Sequence, residues 1–474
     1  MMSRIQESAF CQEDYLMQSS KSVRITEGPL FSRIFLYAVP IMVTGILQLL
    51  YNAADQMVVG RFSGDPNALG AVGSTSSLNN LIINFLIGIS VGSSVVIAQA
   101  YGAKKSEEVS RAVHTSITFG FIGGVALSVI GFFICEPVLI LMGTKEVFIK
   151  NAVLYVKIIC LGIPASSVFN FGATILRSTG DSRTPLIILA STGLVNVALN
   201  LVFVIGCGMS VEGVAISTII AQYLSAIWVI IKLAKSNDCF KFYLSKLGIN
   251  INSLKKILVI GLPSGIQSSL FSLSNVTIQT AANTLSAEVI SANAISGTIE
   301  GFTYTAMHSY QQATITFTGQ NYGAGKTKRV IKSLLYCMIQ VVIAGITVGF
   351  ISIIFSNQLA NIFIDPTDPN KAAVLDAVAV RIKIMLGTYF LCGLMEILSG
   401  YLRGLGYSIT TMICSLTGAC LLRIVWVKFI FVLEPFNSPV GLYTCYPVTW
   451  FLTCAALGIF CIFYSKRSLN TVKL

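Results

Sequence analysis

The chain has 474 residues, of which 54% are hydrophobic and only 11% charged. A soluble domain carries about 25% charged residues, so this composition excludes an ordinary water-soluble protein and predicts a polytopic membrane protein. The formal net charge is +12; with no long basic segment interleaved with aromatics, that charge points to membrane topology rather than to nucleic acid.

In chain order, residues 1–28 lack a continuous apolar run and are expected to form a polar cytoplasmic tail, not a signal peptide. A spanning helix needs about 20 mainly apolar residues. Twelve such runs follow, near 33–60, 68–100, 112–135, 150–175, 185–206, 212–234, 257–282, 288–320, 333–356, 378–401, 409–433 and 446–465. The second is rich in Gly, Ser and Asn, and small residues let helices approach closely. Residues 235–256 join the first six spans to the second six, and 467–474 form a short tail. With the N-terminus inside, most of the 32 Lys and Arg fall in cytoplasmic segments. Both termini are therefore expected to be cytoplasmic, and the cell membrane is the expected location. The twelve Cys form no CxxC, and the two His have no neighbour at metal-ligand spacing. No disulfide framework, zinc site or cofactor is expected.

Gly319–Arg329 reads GQNYGAGKTKR and ends in GKT. A phosphate-binding loop needs Gly, four residues, then Gly-Lys-Ser/Thr between a strand and a helix. Here five residues separate Gly319 from Gly325, and the stretch follows a long apolar helix. It reads as a cytoplasmic turn, and no nucleotide is expected to bind. It also has a twin. Gln99-x-Tyr-Gly-Ala repeats in Gln320-Asn-Tyr-Gly-Ala, Pro40 in Pro263, Leu176-Arg-Ser-Thr-Gly180 in Leu402-Arg-Gly-Leu-Gly406, and Thr192-Gly193 in Thr417-Gly418. The offsets of 221 to 226 residues hold over nearly the whole chain. The chain reads as a tandem duplication. The fold expected is an all-α membrane protein of twelve transmembrane helices in two six-helix lobes, 29–234 and 257–466, related by a parallel repeat.

These residues resemble the multidrug and toxic compound extrusion (MATE) family of secondary transporters. The stretches that carry the resemblance are PIMVTGILQLLYNAADQMVVG from Pro40, AQAYGAKK, LRSTGDSRTP, NVALNLVFVIG, GVAISTIIAQ, NAISGTIEGF and GQNYGAGK. Their order and duplication are specific, though no single one is. The resemblance implies export of small organic, often cationic, compounds in exchange for Na⁺ or H⁺. It also implies a cation site in the first lobe at Asp55, Asn196, Asn200 and Thr218. Many family members carry Asp where this chain has Asn200, which leaves Asp55 as the firm carboxylate there.

The residues also carry readings of their own. A carboxylate at membrane depth costs about 2.5–3.5 kcal/mol on insertion scales, so Asp55 needs a partner or a task. It either binds an ion or proton, or meets water or Arg61 at the interface. Asn196 and Asn200 lie four apart and share a helix face; they either offer oxygens to a hard cation such as Na⁺ or bond neighbouring helices. Thr218 is expected to bond its own helix backbone. Glu300 and Arg423 lie inside the eighth and eleventh spans; they form an internal salt bridge, or Glu300 faces a substrate cleft. Glu396 takes Arg403, seven residues on, as its expected partner. Pro40 and Pro263 are candidate hinges, since proline removes a helix hydrogen bond. The function expected is a secondary antiporter working by alternating access, as a monomer in the lipid bilayer. A flippase for a lipid-linked precursor is the alternative, although it should show more than one intramembrane cation. A membrane-embedded enzyme is a more distant alternative, because no clustered catalytic set exists.

Overall fold

The computed structural model describes residues 23–364 and 369–471. Positions 1–22 of the expected N-terminal tail and 472–474 of the C-terminal one lie outside the described residues.

Twelve helical tracts match the twelve expected spans, and no strand occurs among the described residues. They are α1 (Leu30–Phe62), α2 (Ala68–Gly102), α3 (Ser106–Leu141), α4 (Glu146–Ser178), α5 (Arg183–Gly206), α6 (Val211–Ala234), α7 (Ile251–Ala282), α8 (Ala287–Gly323), α9 (Thr327–Ile354), α10 (Lys371–Gly387 and Tyr389–Leu405), α11 (Ser408–Ile430) and α12 (Pro439–Thr471). Ten are individually long and apolar enough to cross a membrane, and the two parts of α10, bent by 40°, make an eleventh. The remaining tract, α8, has 37 residues and ample length. Glu300, His308, Gln311, Gln312, Gln320 and Asn321 dilute its apolar character.

The chain divides into two compact units. The first takes in Val43–Gly265, and the second takes in Ile25–Met42 together with the chain from Ile266. In α1 and α7 the division falls two residues beyond Pro40 and Pro263.

The first unit buries an apolar core built from α1 to α6, with Val59, Ala71, Leu139, Ala152 and Val214 fully enclosed. Within it α2 and α7 touch backbone to backbone. A Cβ added at Gly88 would lie 2.5 Å from the Cα of Gly265, and one at Gly92 would lie 2.7 Å from the nitrogen of Gly261. Glycines four apart on each helix allow this approach. The segment after α6 is packed rather than loose. His114 stacks on Phe242 with ring centres 5.4 Å apart and accepts the Tyr243 N–H through Nε2 at 3.0 Å. Tyr101 donates to Asp238 at 2.8 Å.

In the second unit the start of α1 packs on α8, where Tyr37 donates to Thr316 at 3.1 Å and sets its ring edge-on to Phe317. The GKT turn has a structural task here. Lys326 donates to the Thr26 carbonyl at 2.9 Å, and Arg329 donates to the carbonyls of Ile25, Glu27 and Gly28. Its cations hold peptide oxygens. The duplication also reaches the backbone: Gly180 and its counterpart Gly406 both adopt positive φ, at 105° and 101°. Lys104 (φ 58°) is left-handed where its counterpart is Gly325 (φ 69°).

Candidate functional site

The fifth helix of the first half is the key to the polar cluster in the first unit. Its α-helical part ends at Leu201, and Val202–Gly206 is wound as a π-helix. Asn196 and Asn200 stand one turn apart on the α-helical part, and both are buried. Asn200 donates through Nδ2 to Asp55 Oδ1 at 2.5 Å. On its other side Asn200 Oδ1 accepts from the Ser217 hydroxyl. Asp55 itself is 8% exposed. Its second oxygen, Oδ2, lies 3.5 Å from the Thr218 hydroxyl, and Asn196 Nδ2 lies 3.4 Å from that same hydroxyl. The Thr218 proton has a nearer acceptor in the Val214 carbonyl, at 2.9 Å, as expected for a Thr that bonds its own helix. The structure thus brings Asp55, Asn196, Asn200 and Thr218 together. Asp55 meets neutral groups and makes no ion pair among the described residues. The interfacial pairing with Arg61 is not made.

Chemically the set offers a carboxylate, two amide oxygens and a hydroxyl. Hard cations take oxygen ligands of this kind. Oδ2 has only the long Thr218 contact, at 3.5 Å, and so keeps free acceptor capacity on that side. An amide that now donates to Asp55 would turn its oxygen inward to hold an ion. Ser217 was not anticipated; its place beside Thr218 in the sequence was the available signal.

A second cluster lies in the second unit, and here the expected pairing needs correction. Glu300 does not pair with Arg423. Arg381 takes both carboxylate oxygens, through Nε and Nη2, each at 2.9 Å. Its Nη1 donates to the Asn293 carbonyl at 3.1 Å, and its guanidinium lies 5.1 Å from the Tyr443 ring centre. Arg381 sits in the first part of α10. Helix rotation turns it inward, to 5% exposure. Arg423 is also buried, at 3% exposure. It faces the Tyr446 ring at 4.3 Å and reaches Thr449 and Asn275 at 3.5 Å each.

Glu396 is a third buried charge. Gln311 Nε2 donates to it. The expected direct pair with Arg403 is not formed, because seven residues along a helix separate the two backbones by about 10 Å. Arg403 donates instead to Gln267 Oε1 at 2.9 Å. Among the described residues no group of three or more His, Cys, Asp or Glu could hold a metal ion.

The sequence model of a family described as MatE matches residues 40–202 and 263–427, one match in each half. A probable multidrug resistance protein, YoeA, of Bacillus subtilis (strain 168) is 30% identical over 381 residues, which is 78% of this chain and 80% of that protein. A protein named FAD transporter from Shewanella oneidensis is 23% identical, over 90% of this chain and 93% of its own. Among solved structures, an outward-facing multidrug resistance MATE family transporter of the MOP superfamily superposes with a TM-score of 0.86. It shares 21% identity, and the match covers 96% of this chain and 99% of that one.

Proposed function

This chain belongs to the MatE family, and from that premise we propose that it is a secondary active antiporter. It exports small organic, often cationic, compounds in exchange for Na⁺ or H⁺ by alternating access of its two lobes. The chain is a multi-pass membrane protein of a multidrug efflux family, a transporter rather than an enzyme.

The observation that carries the coupling is the surroundings of Asp55. A buried carboxylate with neutral partners alone is costly in a membrane, and a transported cation or proton relieves that cost. Asp55 Oδ2, Thr218 and Asn196 receive the ion, while Asn200 holds Oδ1. Neutralising Asp55 weakens its charge-assisted bond to Asn200, which joins α1 to α5. That change favours one packing of the first lobe over another, and an ion shifts a two-state equilibrium only by such differential binding. Substrate is released outward on ion entry, and the lobes then reset inward. Small organic compounds, often cationic, are the substrate class, and export of varied drugs is in keeping with the multidrug names of relatives such as YoeA.

The test is efflux of ethidium from cells expressing the protein, with a Na⁺ or a pH gradient supplied separately. Wild type exports under one gradient, and Asp55→Asn inserts normally but does not. Equal export by both would remove Asp55 from the coupling mechanism.

A further inference from the structure

The second unit holds three buried arginines, Arg381, Arg403 and Arg423, and the first and last are satisfied very differently. Arg381 shows what a guanidinium there receives: both oxygens of Glu300 at 2.9 Å, a backbone carbonyl and an aromatic face. Arg423 is more deeply buried, at 3% exposure. It has the ring of Tyr446 and two contacts at the outer limit of hydrogen bonding, Nε to Thr449 and Nη1 to Asn275, both at 3.5 Å. No carboxylate pairs with it among the described residues, and no residue accepts from Nη2. Glu300 is already neutralised by Arg381, and Glu396 accepts from Gln311. A guanidinium has five N–H donors, and a buried charge left this short of acceptors is costly unless something else supplies them.

The backbone at Arg423 is also unusual. It stands in a single α-helical turn, Leu422–Val425, between two π-helical segments, Leu416–Leu421 and Trp426–Ile430. Such segments are rare and frequent at functional sites. The duplication adds a further point. At an offset of 223 residues Asn52 and Gln56 match Asn275 and Gln279, and the position of Asp55 falls on Ile278. Each half therefore has a polar contact between its first helix and its fifth, buried in the first half and partly buried in the second. In the first half the contact is Asp55 with Asn200; in the second it is Asn275 with Arg423. The charge has changed sign.

We propose that Arg423, framed by Tyr446, Thr449 and Asn275, is an anion-binding site that takes a small monoanion, either chloride or the carboxylate of an organic solute. Nη1 and Nη2 supply the fork that a carboxylate or halide accepts from. Asn275 belongs to α7 and is itself exposed, so the approach runs past its side chain. The site goes beyond the antiport reading and does not depend on Asp55.

The experiment uses the full chain in lipid nanodiscs in a chloride-free sulfate buffer, with binding of radiolabelled chloride and radiolabelled benzoate measured separately. Saturable binding of one or both to wild type is expected, and the one that binds identifies the source. Arg423→Met should lose roughly tenfold or more in affinity. Since that variant can fail to fold, Asn275→Asp is the second arm. It places a carboxylate beside Nη1, and should abolish anion binding while raising the melting temperature. Asp55→Asn should bind the anion as wild type does, which separates this site from the coupling proposal. No saturable binding of either anion, or undiminished binding in Asn275→Asp, overturns the proposal.

Discussion

Asn200 donates to Asp55 across 2.5 Å, and that one bond ties the fifth helix to the first inside a compact unit. Hydrogen bonds to a charged group contribute about 1.5–3 kcal/mol, and here the donor is wholly buried. Asn200→Ala should lower the stability of the protein by about that amount. It should also reduce ethidium export strongly at unchanged protein level. Asn200→Ser, which keeps a hydroxyl donor, should recover part of both.

Glu300 and Arg381 form the buried ion pair of the second unit. Removing one partner of such a pair costs about 3–5 kcal/mol, because the other charge stays buried. Glu300→Gln and Arg381→Met should each destabilise by that order, and the double variant by much less than their sum. A double-mutant cycle on denaturation midpoints measures this. Additive losses would mean that the pair contributes little as a pair.

The close approach of α2 and α7 leaves no room at Gly92. An added Cβ would strike the Ile257 carbonyl and the Gly261 backbone. Backbone cannot swing aside as a side chain does. Gly92→Leu should therefore abolish accumulation of folded protein, and Gly92→Ala should cost about 1–3 kcal/mol. Gly123, with open space around its Cβ, is the control, and Gly123→Ala should be neutral or slightly stabilising.

The turn after α2 offers a stabilising change. Lys104 adopts φ 58°, and its counterpart in the second half is Gly325. A left-handed residue with a Cβ costs roughly 1–2 kcal/mol, and glycine removes that cost at the expense of chain entropy. Lys104→Gly should raise the melting temperature slightly, whereas Gly325→Val should lower it.

Orientation can be read with two cysteines. Cys207 is exposed at the end of α5, and Cys239 lies in the segment after α6. If both termini are cytoplasmic, these sites face opposite sides. In single-cysteine variants a membrane-impermeant maleimide should label Cys207 on intact cells, and Cys239 only after permeabilisation.

Much of the fold was legible because the membrane imposes it. Length and apolar content set the twelve helices, and the duplication could be read from motifs as short as Gln-x-Tyr-Gly-Ala. The polar α8 was still visible because enough apolar residues run through its length. The first-unit cluster was legible through the family resemblance, since the spacing of Asn196 and Asn200 by itself put only those two on one helix face. The pairing of Glu300 was not. Membership of a span tells depth but not helix rotation, and rotation decides whether Glu300 meets Arg381 or Arg423. The bend in α10 and the π-helical winding of α11 change that rotation by amounts that no regular period predicts.

The most direct test of the central claim is coupled flux in proteoliposomes containing the purified protein. Ethidium is placed on one side, and entry of labelled Na⁺ or of protons, followed by a trapped pH dye, is recorded as the dye moves. The account predicts that ethidium movement drives opposite movement of one of these ions, and that Asp55→Asn abolishes both fluxes. Ethidium transport at the wild-type rate in Asp55→Asn, or transport with neither ion moving, would contradict it.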